Sequence, residues 1–213
     1  MTLPLVFAFV VAALSAAIIT PLVIRGAKRW HLLDSPDDTR HLHDRPVPRL
    51  GGVAVFIATM LGIVSALLFS PARSALTPAW HNFAIALVLG GSVLFGAGLI
   101  DDIRRIRPVA KIVAQCIAAL IVAKLGFRIE ILGIGSSVLH LGWLSIPLTI
   151  LWIVAVTNAF NLIDGLDGLA TGIAVVALST VFAAATVLGN LEVATVSLVL
   201  IGALLGFIRY NFS

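Results

Sequence analysis

Residues 143–170 read WLSIPLTILWIVAVTNAFNLIDGLDGLA, an apolar run that ends in two amides and two carboxylates. The run 143–160 approaches the roughly 20 residues a helix needs to cross the hydrocarbon core. Across its polar end Asn158, Asn161, Asp164 and Asp167 recur every third residue. Ionisable groups at a membrane edge are costly to hold, so they are functional candidates by default. Asp164-Gly165 and Asp167-Gly168 add turn chemistry, because each glycine lets the backbone bend while its aspartate stays free to meet a ligand. On a helix, steps of three drift by about 60°, so the four groups would spiral around it, and a broken helix end is expected instead.

The rest of the chain has the same character. With 60% hydrophobic and 11% charged residues, the 213 residues lack the polar material to cover a soluble domain. The mean hydropathy of +1.12 agrees. These values predict an all-α polytopic membrane protein, one domain over 1–213. About seven transmembrane helices are expected, at 3–24, 50–69, 82–100, 109–124, 143–160, 169–188 and 191–208. The first span lacks a basic stretch ahead of it and is long for a signal-peptide core, so it reads as a retained helix. Between the fourth and fifth spans, Phe127, Ile129 and Ile131 alternate with Arg128 and Glu130, and Gly133 to Ser137 supply a turn before Val138-Leu139-His140-Leu141. A small external β-hairpin over 127–141 follows. Gly90-Gly91, Gly96, Gly98, Gly202 and Gly206 lie at small-residue spacings that suit close helix packing. The lone Cys116 can form no internal disulfide.

Charge sets the orientation. Of the fourteen Lys and Arg residues, only Arg73, Lys124 and Arg128 fall on one side of the seven spans. The positive-inside rule places the amino terminus outside and the carboxy terminus in the cytoplasm. All the Asp residues share the cytoplasmic side, whereas Glu130 and Glu192 lie opposite. Topology requires the bias of Lys and Arg but not that of Asp, so something on the cytoplasmic face needs carboxylates.

Asp101-Asp102 end the third span just before Arg104, Arg105 and Arg107. A negative pair at a helix carboxy terminus opposes the macrodipole, and folding alone would not choose it. Either the pair is solvated and balanced by those arginines, or it faces a divalent cation or a phosphate-bearing reactant. Pro108 opens the fourth helix and Lys111 falls in its first turn, again against the dipole but well placed for an anionic head group. The oxygen groups of 158–167 suit a hard cation such as Mg²⁺, the plainer alternative being turns that merely join two spans. The stretch Arg40-His41-Leu42-His43-Asp44-Arg45-Pro46-Val47-Pro48-Arg49 either binds phosphates or is an ordinary positive-inside loop. His41 and His43 share no helical face and have no Cys or third His nearby, so a zinc site is discounted.

Three stretches, in order, carry a family resemblance. They are Asp34-Ser35-Pro36 through Arg40, His43, Pro46, Pro48, Arg49 and Gly51-Gly52; Gly98-Leu99-Ile100-Asp101-Asp102 with Lys111 and Gln115; and Asn158 through Ala170. With them the chain resembles the polyprenyl-phosphate N-acetylhexosamine-1-phosphate transferase superfamily, glycosyltransferase family 4, over nearly its whole length. Pro48-Arg49-Leu50-Gly51-Gly52 is similar to the branch that loads GlcNAc-1-phosphate onto undecaprenyl phosphate, and unlike the Thr-Met-Gly-Gly ending of the muramoyl-pentapeptide branch.

The resemblance implies that a UDP-amino sugar and a polyprenyl phosphate react on the cytoplasmic face of the plasma (inner) membrane. The products would be a polyprenyl-diphosphate sugar and UMP, in the first membrane step of a cell-envelope glycan. Mg²⁺, or Mn²⁺ in its place, is the implied cofactor. Carried over residue by residue, Asp101, Asp102, Asp164 and Asp167 are the catalytic carboxylates, and Asn161 with Asp101 holds the metal. Arg40, His43, Arg49, Lys111 and Asn158 bind substrate, Lys111 and Arg49 at the lipid phosphate. A homodimer is open to such a protein, and no nucleic-acid partner is expected. His41 stands where the family often has Lys. The family also continues past Tyr210-Asn211-Phe212-Ser213 into a Gly-Asp metal-binding loop, further spans and a His-rich cytoplasmic loop. The chain without these is expected to be a fragment or a shortened, non-catalytic member. A transporter is the other class that polar breaks in helices allow, but carboxylates gathered at one face rather than mid-span count against it.

Overall fold

The computed structural model describes residues 2–29, 50–69, 78–104, 106–135, 137–164 and 168–211. Among them run seven α-helices: α1 (Thr2–Arg29), α2 (Gly51–Phe69), α3 (Pro78–Arg104), α4 (Pro108–Lys124), α5 (Ser145–Ile163), α6 (Leu169–Val187) and α7 (Leu191–Asn211). Between α4 and α5 lies an antiparallel pair of strands, β1 (Ile131–Ile134) and β2 (Ser137–His140). Six helices are long and apolar enough to cross a membrane, which makes this an all-α multi-pass membrane protein. The remaining one, α4, has 17 residues and sits at the lower edge of spanning length. Several helices outrun the apolar segments that predict them: α3 continues through Asp101-Asp102 to Arg104 and α7 to Asn211. Polarity marks where hydrocarbon ends, whereas the helix ends where its backbone bonding does.

The chain forms two compact units, one of Met1–Ser74 with Leu166–Ser213 and one of Ala75–Gly165. In the first, α7 packs against α1, α2 and α6. Small residues make this packing close. Ala8, Ala12, Ala16 and Thr20 form a buried stripe along α1 at spacings of one turn. The backbone of α1 lies against Gly202 and Gly206 of α7, where an added Cβ would meet the carbonyl oxygens of Phe9 and Ala13. Tyr210 Oη donates to Ala17 O at 3.1 Å. The contacts 9 to 202, 13 to 206 and 17 to 210 ascend together, so α1 and α7 run parallel. In a chain whose spans alternate in direction, the first and last run parallel only if their number is odd. Counting α4 as a crossing meets that condition.

Gly206→Leu should push α1 from α7 and cost about 1–3 kcal/mol of overpacking, read as a lower melting temperature in detergent. Gly172→Ala serves as the control, because among the described residues no other element lies within 4 Å of a Cβ there. A Gly206→Leu variant as stable as Gly172→Ala would refute the close α1–α7 contact.

In the second unit α4 packs between α3 and α5. Gly90 admits Val122, whose Cγ2 would come 2.7 Å from an added Cβ, as its spacing predicts. Gly96 and Gly98 depart from the close-packing expectation: among the described residues no other element comes within 4 Å of where a Cβ would stand. The hairpin forms, but later than the alternation suggests. Its pairs are Ile131↔His140, Leu132↔Leu139, Gly133↔Val138 and Ile134↔Ser137, and Gly135 takes a φ of 60° at the turn. The stretch before β1 is held by helices: Phe127 stacks edge-on against Phe83 at 5.2 Å, and Ile129 N donates to Thr149 Oγ1 at 2.9 Å. Beside these aromatics is an apolar cavity of about 280 Å³, lined by Phe83, Gly90, Leu94, Ala119, Phe127 and Ile153 among others. It carries no polar side chain and lies toward the hairpin end of the unit.

Candidate functional site

A group of polar side chains lies at the other end of the second unit, where α3 finishes, α4 starts and α5 finishes. Asp101 sits in the last turn of α3 and Lys111 in the first turn of α4. Each opposes its own helix dipole, and together they neutralise one another: Lys111 Nζ lies 2.5 Å from Asp101 Oδ2. Asp101 Oδ1 accepts the backbone N–H of Ile106 at 3.0 Å. One carboxylate thus orders the turn between α3 and α4 and holds the lysine. Pro108 takes the first helical position, where its missing N–H costs nothing, and Arg107 precedes it in an extended conformation without a side-chain cap. Asp102 is half-buried beside this pair.

One turn beyond Lys111 on the same stripe of α4 is Gln115, buried at 7% exposure. Its Oε1 accepts from Asn158 Nδ2 of α5 at 2.7 Å. Asn158 Nδ2 also donates to Val154 O at 2.8 Å. The helix end falls within the stretch that the sequence pattern marked, but after both asparagines. Helix α5 runs unbroken through Ile163, and Asp164 closes it by donating its backbone N–H to Phe160 O at 3.1 Å. The 60° drift per step therefore operates: Asn158 turns toward α4, while Asn161 is exposed and has no side-chain partner among the described residues.

The carboxyl of Asp164 is pushed above its usual 3.8 because surrounding protein removes water from it. The residue is itself exposed, so the cost is small. With its folded pKa above the unfolded one, the native state binds this proton more tightly. Stability therefore falls as pH rises from the ordinary carboxylate value to the raised one, and the loss persists above that window. Asp164→Asn should melt at or slightly above the parent at pH 7, by no more than about 2 °C, with the gain vanishing below the window. A lower melting temperature at pH 7 would mean that the carboxylate makes a stabilising contact instead.

Of the residues singled out in the sequence, the structure brings together Asp101 with Lys111, and sets Asn158, Asn161 and Asp164 along the end of α5. Arg40, His43, Arg49 and Asp167 lie outside the described residues. In the first unit, Gly168 opens α6 with a φ of 70°, as Asp-Gly turn chemistry predicts. There Asn211 Nδ2 donates to Thr171 Oγ1 at 2.9 Å, tying the end of α7 to the start of α6. Neither this pair nor the Gln115–Asn158 bond was singled out from sequence. The signal was present in Gln115, a lone amide within an apolar helix, which must find a partner or lose stability.

The donors suit a hard cation in kind, being amide and carboxylate oxygens. Among the described residues no three His, Cys, Asp or Glu side chains cluster to hold a metal by themselves. An Asn161 carbonyl with one carboxylate is the set that Mg²⁺ accepts when water and substrate phosphate complete its shell.

A membrane-spanning helical protein with carboxylates, amides and a lysine at one end of three packed helices belongs to a definable class, and sequence comparison says which. The profile of the family described as glycosyl transferase family 4 matches residues 84–213, more than half of the chain. The chain belongs to that family. It is 36% identical over 210 residues to a Bacillus subtilis (strain 168) protein described as a probable undecaprenyl-phosphate N-acetylglucosaminyl 1-phosphate transferase, covering 98% of this chain and 56% of that protein. It is 35% identical over 188 residues to the decaprenyl-phosphate N-acetylglucosaminephosphotransferase of Mycobacterium tuberculosis (strain ATCC 25618 / H37Rv), covering 81% of this chain and 45% of that one. It is 30% identical over 223 residues to a phospho-N-acetylmuramoyl-pentapeptide-transferase of Thermoanaerobacter sp. (strain X514), covering 97% and 65%. The chain thus spans about half to two thirds of the length of these relatives.

Proposed function

We propose that the gene product containing this chain transfers N-acetylglucosamine-1-phosphate from a UDP-sugar to undecaprenyl phosphate on the cytoplasmic face of the plasma membrane. The observation that carries this reading is the Asp101–Lys111 pair at the end of three membrane helices, in a chain of this family. A lipid phosphate stays at the bilayer edge, and there a lysine held by a carboxylate offers it a cation. In the step itself, an oxygen of the lipid phosphate attacks the sugar-bearing phosphorus. A new P–O bond forms, the bond to the uridylate oxygen breaks, and UMP leaves. A phosphate monoester is mostly ionised near neutrality, so little proton removal is needed.

Asn161 and Asp101 would hold Mg²⁺, which when bound supplies charge neutralisation at the diphosphate. Lys111 would bind the lipid phosphate; the family resemblance gives Arg49, Arg40 and His43 a phosphate-binding role as well, and makes Asp102, Asp164 and Asp167 catalytic carboxylates. Positioning and electrostatics of this kind carry most of the catalysis in phosphoryl transfer. The test is transfer of labelled sugar phosphate from UDP-GlcNAc to undecaprenyl phosphate with matching UMP release. Label that stays in the aqueous phase with every UDP-sugar offered refutes the reading.

The orientation has its own check. In a Cys116→Ser background, Ser137→Cys in β2 should react with an impermeant thiol reagent from outside intact cells, and Ser35→Cys only after the membrane is opened. Labelling of both from the same side would overturn the seven-span topology.

A further inference from the structure

The bond between Gln115 and Asn158 has no part in the reaction as assigned so far. We propose that Gln115 is a positioning residue: it fixes the Asn158 side chain so that Asn158 Oδ1 accepts a hydrogen bond from the nucleotide sugar. The inference rests on the transferase reading.

The amide orientation is dictated, because Val154 O can only accept, so the NH₂ group of Asn158 must face it. The same NH₂ donates its second hydrogen to Gln115 Oε1. With both donors committed, the plane of the amide is fixed. Oδ1 remains as the one polar atom of the Asn158 side chain without a partner among the described residues. Gln115 itself is held, at 7% exposure, with Ala118 and Ala119 buried on the next turn. On its own, α4 would be better served at that position by an apolar side chain.

The ligand class follows from hydrogen-bond chemistry. An ionised phosphate offers only acceptors, so a fixed carbonyl oxygen cannot serve the lipid phosphate. With Mg²⁺ assigned to Asn161 and Asp101, it serves a donor: the N–H of a uracil ring or acetamido group, or a sugar hydroxyl, all of which belong to the nucleotide sugar. Lys111, one turn along the same stripe of α4 and paired with Asp101, supplies the complementary cation for phosphate. A single helix thereby keys an anion contact and a donor-reading contact to one another.

The experiment measures steady-state kinetics in the full gene product. Gln115→Met keeps length but loses the acceptor, Gln115→Glu keeps an acceptor oxygen, and Asn158→Ala removes the carbonyl. Gln115→Met should raise KM for the UDP-sugar roughly tenfold, leaving KM for lipid phosphate and the Mg²⁺ dependence unchanged. Gln115→Glu should retain most of the parent's affinity, and the double variant Gln115→Met/Asn158→Ala should be no worse than Asn158→Ala alone. Gln115→Asn, which keeps a buried amide but cannot reach, carries the same expectation if Gln115→Met does not accumulate. An unchanged KM for the UDP-sugar, even with a lower melting temperature, overturns the proposal and leaves Gln115 a structural staple. So does a shift confined to lipid phosphate or Mg²⁺, or losses that simply add. A parent that transfers nothing overturns the transferase reading and this inference together, whereas an active parent with an unaffected Gln115→Met overturns this inference alone.

Discussion

If the proposed function holds, Asp101→Asn should lower sugar-phosphate transfer on the order of 100-fold, the scale of losing one charge-stabilising group in a preorganised site. The substitution is informative because it separates two things the carboxylate does. An asparagine oxygen can still accept the Ile106 N–H, so the turn between α3 and α4 keeps its anchor. What disappears is the negative charge, which holds Lys111 and in the proposed function also serves Mg²⁺. Both side chains are about a quarter exposed, at 29% for Lys111 and 23% for Asp101, so the ion pair contributes about 1 kcal/mol or less to folding. A loss of activity far larger than the loss of stability then belongs to the reaction. Lys111→Met should cost a similar factor, and the double variant much less than the product of the two, since each residue acts partly through the other. Losses that multiply would show that the pair works as two independent groups. Near-parent activity in Asp101→Asn would place the chemistry elsewhere.

The fold was legible because hydrocarbon imposes a length, and seven apolar runs of about that length are hard to read otherwise. The helix ends were less so. Hydropathy reports where lipid stops, and α3 and α7 continue past it into charged residues. The hairpin was placed correctly between α4 and α5 but the start of its first strand was not, because Phe127 and Ile129 alternate like a strand while α3 and α5 hold them. Within the site, residue types and spacing pointed to Asp101, Lys111, Asn158 and Asn161, whereas the partners of each were invisible. No pattern in the sequence says that Lys111 reaches back ten residues to Asp101, or that Gln115 reaches across to Asn158, because both contacts depend on how helices lie side by side. The helix end expected across Asn158 to Asp167 does fall within that set, at Ile163, but after both asparagines rather than before them: two asparagines in a helix are tolerated when one of them finds a partner on the neighbouring helix.

Asn161→Ala tests the metal assignment, and its expected loss is also on the order of 100-fold at limiting Mg²⁺. The continuity of α5 makes the experiment clean. Asn161 lies three residues from Asn158 and about 60° around the helix from it, and that rotation takes its side chain away from α4 into an exposed position. An exposed side chain without a partner among the described residues can be cut back to Cβ at a cost within about 0.5 kcal/mol, so the variant stays folded. If its carbonyl oxygen ligates Mg²⁺, the loss should appear mainly as a higher Mg²⁺ concentration for half-maximal rate and be partly recovered by adding the ion. Asn161→Asp keeps an oxygen ligand and adds charge, and it should need no more Mg²⁺ than the parent. The KM for the UDP-sugar at saturating Mg²⁺ should change little in either variant, in contrast to Gln115→Met. A rate that falls equally at all Mg²⁺ concentrations would move Asn161 from the cation to the substrate. A rate that does not fall at all would leave the oxygen groups of α5 without a metal role and return the carboxylates as the only candidates to hold one.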